Sequence, residues 1–281
     1  MIQYFVPKTL KEALKILNES ECYIFAGGTD LMVQKHRCSG VLPHFDKNVL
    51  FIMQLKELDY IKSDEEQNVR IGATTTYSEL LASPLVPEIF KKVIREIASP
   101  AIRNMATLVG NIANASPAGD SLLPLNLFDA RVVLTSIEGN REVPIYDFIQ
   151  GVRKIDRRDN EIITEVIIPK LDNLNFYYRK VGSRKAETIT KVSFLGGYRS
   201  EGGFIKELRI CFGSVSIKVI RNKYVEKKYV NRSVNELRAR IDDLMLEYNH
   251  EILPITDQRS TKEYRKKVAF NLLKDFIKKM K

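Results

Sequence analysis

The sequence predicts an α+β protein of two domains, and three observations carry that expectation. Short strand-like and helix-like stretches alternate through residues 1–170. Beyond the polar turn Lys170–Asn175, three strand-like runs precede three helical ones, the order of an α+β layer arrangement. The charge changes at the same turn: residues 1–170 carry 20 Lys and Arg against 22 Asp and Glu, and residues 171–281 carry 25 against 13. The domains are therefore expected at 1–172 and 173–281.

Tyr4–Val6 reads as a strand. Thr9-Leu10-Lys11-Glu12 reads as a capping box that opens a helix reaching Asn18, with Leu10, Ala13, Leu14 and Leu17 on one face. Cys22–Phe25 is a second strand, followed by a glycine turn and a helical pattern from Leu31 to Arg37. Asn48–Met53 and Asn68–Ala73 read as strands. Tyr77–Ala82 and Pro87–Ala98 read as helices, the second with Pro at its first position. Ser99–Ser121 shows no sustained period and little charge, and is expected to be an ordered, irregular loop wrapped around something. Ser121–Leu127 suggests a helix, Arg131–Ile137 a strand, Glu138–Asn140 a turn into Arg141–Val143, and Glu161–Ile168 an alternating strand stopped by Pro169. The second domain reads as strands Phe176–Val181, Lys191–Arg199 and Phe204–Gly213, then helices Ser216–Val225, Val234–Tyr248 and Thr261–Lys279.

Composition excludes several classes. No apolar run approaches the roughly 18–20 residues that span a bilayer, and the N-terminus lacks the basic and apolar regions of a signal peptide. A cytoplasmic protein is expected. Cys22, Cys38 and Cys211 are widely spaced and form no C-x-x-C, so the usual zinc and iron–sulfur spacings are missing. They read as buried small hydrophobes. His36, His44 and His250 have no ligand partner at helical or hairpin spacing, which favours structural histidines over a metal site. The basic C-terminal part spreads its charge along helices without interleaved aromatics. That fits a solvated face, or one meeting an acidic partner subunit, better than nucleic acid.

Two glycine loops carry the chemistry. The first is Ile24-Phe25-Ala26-Gly27-Gly28-Thr29-Asp30-Leu31, a strand running through a tight turn into a helix. Such a turn converges backbone N–H groups on an anion, and Thr29 adds a hydroxyl. By itself it reads more readily as a plain strand–helix turn capped by Thr29 or Asp30. It lacks both the G-K-[ST] ending of a P-loop and the spacing of a Rossmann fingerprint. The second is Thr107-Leu108-Val109-Gly110-Asn111-Ile112-Ala113-Asn114-Ala115-Ser116-Pro117-Ala118-Gly119-Asp120. Its hydroxyls, amides and one carboxylate suit a diphosphate and a ribose, although a polar surface loop has the same composition. Two donor-rich loops in one domain favour a dinucleotide.

At these residues the sequence resembles the FAD-binding subunit of the molybdenum hydroxylases, the family of xanthine, carbon monoxide, aldehyde and nicotinate dehydrogenases. Ala26–Asp30 matches the family's A-G-G-[TH]-[DS]. Thr107–Asp120 matches [TS]-[IV]-G-G-N-[IL]-x-x-[AG]-[SD]-P-x-[AS]-D, with Val109 in place of the first glycine and Gly119 in place of a small residue. Ile102-Arg103-Asn104, Tyr146-Asp147-Phe148, Glu161–Pro169 and Lys180-x-x-Ser183-Arg184 through Val192 extend the likeness along nearly the whole chain. The resemblance implies a two-lobed FAD domain of the vanillyl-alcohol oxidase and p-cresol methylhydroxylase type, followed by a small α+β domain. It implies that Ile24, Phe25, Ala26, Gly27, Gly28, Thr29, Asp30 and Leu31, with Thr107, Gly110 and Asn111, hold the FAD diphosphate. Ser116 would also bind the cofactor, and Asp120 would bind on the adenosine side. Ile163 and Lys180 would lie along the flavin, with Ile97 as a further contact. Many relatives place an aromatic where Ile97 or Thr188 aligns, and Glu187 stands where an Asp is frequent.

The same resemblance implies a task. FAD would take electrons from [2Fe–2S] clusters of an iron–sulfur subunit, fed by a molybdopterin-binding subunit, and pass them to NAD⁺ or another acceptor. Assembly as a dimer of heterotrimers is expected, with no residue of this chain acting as acid or base and no hydroxylation by this chain alone. Two rivals remain open: a stand-alone flavin oxidoreductase, and a basic binding protein without enzymatic activity.

Overall fold

The computed structural model describes every residue except Arg37, Ser39, Asp172, Lys185 and Ala186. The expected helix end at Arg37 and the expected domain limit at Asp172 lie outside the described residues. The chain forms two compact units, Met1–Ala115 with Asp129–Lys170, and Ser116–Phe128 with Leu171–Lys281.

The first unit begins with a small parallel sheet. Tyr4–Phe5 and Cys22–Phe25 flank Asn48–Phe51, whose Val49 and Leu50 are fully buried. The helix Leu10–Glu19 starts where Thr9 accepts the Glu12 N–H at 3.2 Å. The return half of the capping box is shifted by one residue, because Glu12 takes the N–H of Lys8 instead, at 2.8 Å. Five antiparallel strands form the larger sheet, in the order Ile61–Ser63, Val69–Gly72, Ile162–Ile168, Arg131–Ser136 and Gly139–Pro144. The alternation read for Glu161–Ile168 is overridden. All seven residues of Ile162–Ile168 are buried, as a central strand requires when both faces are covered.

Helices of this unit follow their caps. Thr76 and Glu79 make both halves of a capping box ahead of Tyr77–Ala82. Glu88–Arg95 starts after Pro87, which stands at the cap and not at the first helical position. The stretch expected to be irregular contains two helices, Pro100–Arg103 and Leu108–Asn114. They are too short for a hydrophobic period to show. Their caps, Ser99 and Thr107, define them instead. Ala115, left-handed at φ +45°, ends the second.

In the second unit Asn175–Val181, Val192–Glu201 and Phe204–Gly213 form an antiparallel sheet, turning at Gly202 and Gly203 with φ +58° and +80°. Lys262–Lys279 lays Phe276 against Gly196, where a Cβ would come within 2.7 Å of the ring. The helix expected over Ser216–Val225 is confined to Lys223–Lys228, because Ile220 pairs back onto Phe212 by two hydrogen bonds of 2.9 Å. The one expected over Val234–Tyr248 breaks at Arg240 into Val234–Ala239 and Ile241–Asn249. Ser116–Phe128 packs here through its helix Leu122–Leu127. Arg209 and Arg221 donate to the carbonyls of Leu127 and Asn126 at 2.6 and 2.7 Å, and Phe128 stacks on Phe176. Cys22 and Cys211 are buried, whereas Cys38 is exposed, so the expectation of three buried thiols fails at Cys38.

One charged cluster holds the edge hairpin of the first unit. Arg141 makes two bonds to Glu161, of 2.7 and 2.9 Å, and one to Asp156 of 2.8 Å. Burial pushes the Glu161 carboxyl up. The Arg141 guanidinium and the Arg158 N–H outweigh it and hold the group below its ordinary range. Arg141→Met is expected to cost about 2–4 kcal/mol at pH 7 by stranding a buried carboxylate. A carboxyl with a depressed pKa stabilises above its ordinary range and loses that contribution as pH falls. Denaturant titrations should therefore show the gap between wild type and variant closing between pH 7 and pH 3; a gap independent of pH would refute the account.

Candidate cofactor site

The first glycine loop leaves its strand at Phe25, whose carbonyl takes the Ile52 N–H at 2.9 Å, and enters the helix Leu31–Lys35. Gly27 rests directly on the backbone of Met105, and a Cβ there would overlap the Met105 carbonyl oxygen. Gly28 stands at φ +69° under the Phe25 ring, which a Cβ would also strike. Among the described residues, the N–H groups of Gly27, Gly28, Thr29, Asp30 and Leu31 meet no protein acceptor, and neither does the Thr29 hydroxyl. Asp30 makes no side-chain cap. Five consecutive backbone donors without an acceptor form an anion cradle.

The second loop supplies a matching set. Thr107 is the cap of Leu108–Asn114, its hydroxyl oxygen accepting the Gly110 N–H at 2.9 Å. The Leu108 and Val109 N–H groups, the orphans of the first turn, meet no acceptor among the described residues. Val109 buries its side chain, and Gly110 and Asn111 stand exposed and half-buried. Two side-chain bonds join the loops: Asn114 donates to the Asp30 carboxylate at 3.1 Å, and Gln34 donates to the Asn114 carbonyl at 2.8 Å. The structure thus brings Ala26–Leu31 and Thr107–Asn114 together within the first unit. Asn114 and Gln34 were not among the residues read as ligands from sequence. Asn114 lies inside the motif and Gln34 one helical turn beyond Asp30, the only signals available.

The other expected residues fall elsewhere. Ile97 is half-buried at a corner after Glu88–Arg95. Ile163 is buried in the central strand beside a bulge at Thr164. Ser116, Asp120 and Lys180 belong to the second unit. Ser116 takes the Ala118 N–H at 3.3 Å. Asp120 and Lys180 form one buried ion pair of 2.8 Å, side chains 6% and 5% exposed, and Thr190 donates to the same carboxylate at 2.7 Å. Burial pushes the Asp120 carboxyl up, opposed by the Lys180 charge and the hydrogen bonds. Thr190 carries no sequence signal, because only the fold sets it beside Asp120.

Residues 1–171 match the family profile described as FAD binding domain in molybdopterin dehydrogenase, and residues 177–280 match CO dehydrogenase flavoprotein C-terminal domain. The chain belongs to the FAD-binding subunits of the molybdopterin dehydrogenase family. It is 29% identical to the glyceraldehyde dehydrogenase medium chain of Sulfolobus acidocaldarius, over 95% of this chain and 93% of that one. It is 35% identical to the nicotinate dehydrogenase FAD-subunit of Eubacterium barkeri, over 69% of this chain and 67% of that one. A chain of the Cu,Mo-CO dehydrogenase crystal structure shares the fold at a TM-score of 0.87 and 24% identity, covering 98% of this chain and 95% of that one. A chain of quinoline 2-oxidoreductase from Pseudomonas putida 86 does so at 0.87 and 22%, covering 99% and 96%. This chain thus has an α+β fold with an FAD domain and a three-stranded C-terminal sheet. No helix among the described residues is long and apolar enough to cross a membrane.

Because Gly27 lies against backbone, which cannot rotate away, Gly27→Ala should lower the stability of the cofactor-free chain by about 1–3 kcal/mol. A thermal melt unchanged by this substitution would show that the loops are not in contact.

Proposed function

We propose that this chain is the FAD-carrying electron-transfer subunit of a molybdenum hydroxylase complex. The observation that supports it most directly is the pair of glycine loops in which the N–H groups of Gly27, Gly28, Thr29, Asp30 and Leu31, and those of Leu108 and Val109, meet no acceptor among the described residues. Ile24–Leu31 and Thr107–Asn111 would bind the diphosphate through those donors, with Thr29 adding its hydroxyl. Ile97 and Ile163 would offer apolar contact to the flavin ring. By resemblance, Ser116 is assigned to the cofactor, Asp120 to the adenosine side and Lys180 to the flavin. Bound FAD supplies the ability to take up electrons singly and release them as a pair.

The partners follow from the family. An iron–sulfur subunit with [2Fe–2S] clusters would deliver electrons from a molybdopterin-binding subunit, and NAD⁺ or another acceptor would remove them. The sequence has three cysteines and no cluster spacing, so clusters and substrate oxidation are assigned to those other chains. We place the assembly in the cytoplasm, as a dimer of heterotrimers, with residues 1–172 as the FAD domain and 173–281 as its C-terminal companion.

The test is a titration of the purified chain with FAD. The expected result is one flavin per chain, a yellow protein, and a stability gain of about 2.7 kcal/mol when free FAD is about 100 times Kd. Gly28→Val and Gly110→Val should each abolish the colour. A protein that stays colourless after reconstitution would sink the proposal. Turnover of an organic substrate by the isolated chain would favour a stand-alone oxidoreductase instead.

A further inference from the structure

The helix Glu88–Arg95 closes with the N–H groups of Glu96 and Ile97 on the carbonyls of Val93 and Ile94. The next residue, Ala98, stands at φ +47°, a left-handed conformation that an alanine adopts at a cost and glycine does not. Such a residue persists where its surroundings over-determine it. One group does so here: Arg103 Nη1 donates to the Ile97 carbonyl at 2.7 Å and to the Ala98 carbonyl at 2.6 Å.

Arg103 ends the short helix Pro100–Arg103, and that helix leads straight to the loops. The Ile102 carbonyl holds the N–H groups of Met105 and Ala106 at 3.1 and 2.8 Å. The Met105 carbonyl is the atom on which Gly27 rests. The Ala106 carbonyl takes the Tyr77 N–H at 2.9 Å, and the next residue, Thr107, caps the helix of the second loop. One half-buried guanidinium therefore ties a strained corner to the floor of both loops.

We propose that Arg103 is a positioning residue for the flavin nucleotide: it holds the Ile97–Ala98 corner in its left-handed bend and thereby fixes Met105–Thr107, where the two glycine loops meet. The assignment rests on the proposed function and adds to it a residue that acts through backbone. An arginine that merely covered carbonyls past a helix end would contribute to stability alone.

The experiment measures FAD affinity of the full chain by flavin fluorescence, and the melting of the cofactor-free chain by circular dichroism, in wild type, R103M and the double variant A98G/R103M. R103M should weaken FAD binding by about tenfold or more. In the double variant glycine adopts the bend without strain, so FAD affinity should return to within about threefold of wild type. R103M that binds FAD as wild type does overturns the assignment. So does a double variant that regains its melting temperature and not its FAD affinity. Should R103M not fold, a folded double variant with near-wild-type affinity supports the assignment, and one with weakened affinity overturns it. A wild-type chain that takes up no FAD overturns the proposed function itself, a result separate from any difference between variants.

Discussion

Backbone against backbone at Gly27 is the contact on which the first unit's site depends. With no side chain there, the turn after Cys22–Phe25 lies flat on the Met105 carbonyl, and two segments about eighty residues apart come into register. Any Cβ would separate them. The bonds Gln34–Asn114 and Asn114–Asp30 fasten the edges of a meeting that the missing side chain permits. The unclaimed N–H groups are a consequence. Those of Gly27, Gly28, Thr29 and Leu31 belong to half-exposed residues, which water reaches, whereas Leu108 and Val109 are buried.

In the proposed function, this cradle would recognise an anion without cationic side chains. Neither Ala26–Leu31 nor Thr107–Asn114 contains Lys or Arg, and the Asp30 carboxylate is engaged by Asn114. The helices that follow, Leu31–Lys35 and Leu108–Asn114, are too short to carry much macrodipole. Attraction would then come from many N–H dipoles acting together, which demands accurate backbone placement. The strained corner at Ala98 and the clamp on it are intelligible in a site of that kind.

Buried charge in the second unit serves a different purpose. Arg221 pairs with Glu226 at 3.0 Å while donating to the Asn126 and Leu127 carbonyls, and Lys180 pairs with Asp120. Buried pairs add little net stability because desolvation opposes their attraction. Breaking one is costly, so they fix a unique arrangement. Here they fix Ser116–Phe128 to the second unit, although the chain before and after that segment belongs to the first.

The sequence by itself determined whatever is written within a few residues: strand Cys22–Phe25, the cap Thr9 and the two glycine loops with their family. A cap ahead of a helix long enough to show its apolar face and the spacing of a motif are local, so a linear reading finds them. Tertiary structure alone decided the rest. It buried both faces of Ile162–Ile168 and put a β-bridge at Ile220 where a helix was expected. It also set Asp120 against Lys180 and Thr190, and Gly27 against Met105. Each of these depends on which distant segment comes to lie alongside, and packing and backbone pairing across the fold settle that, not the identity of the neighbours in sequence.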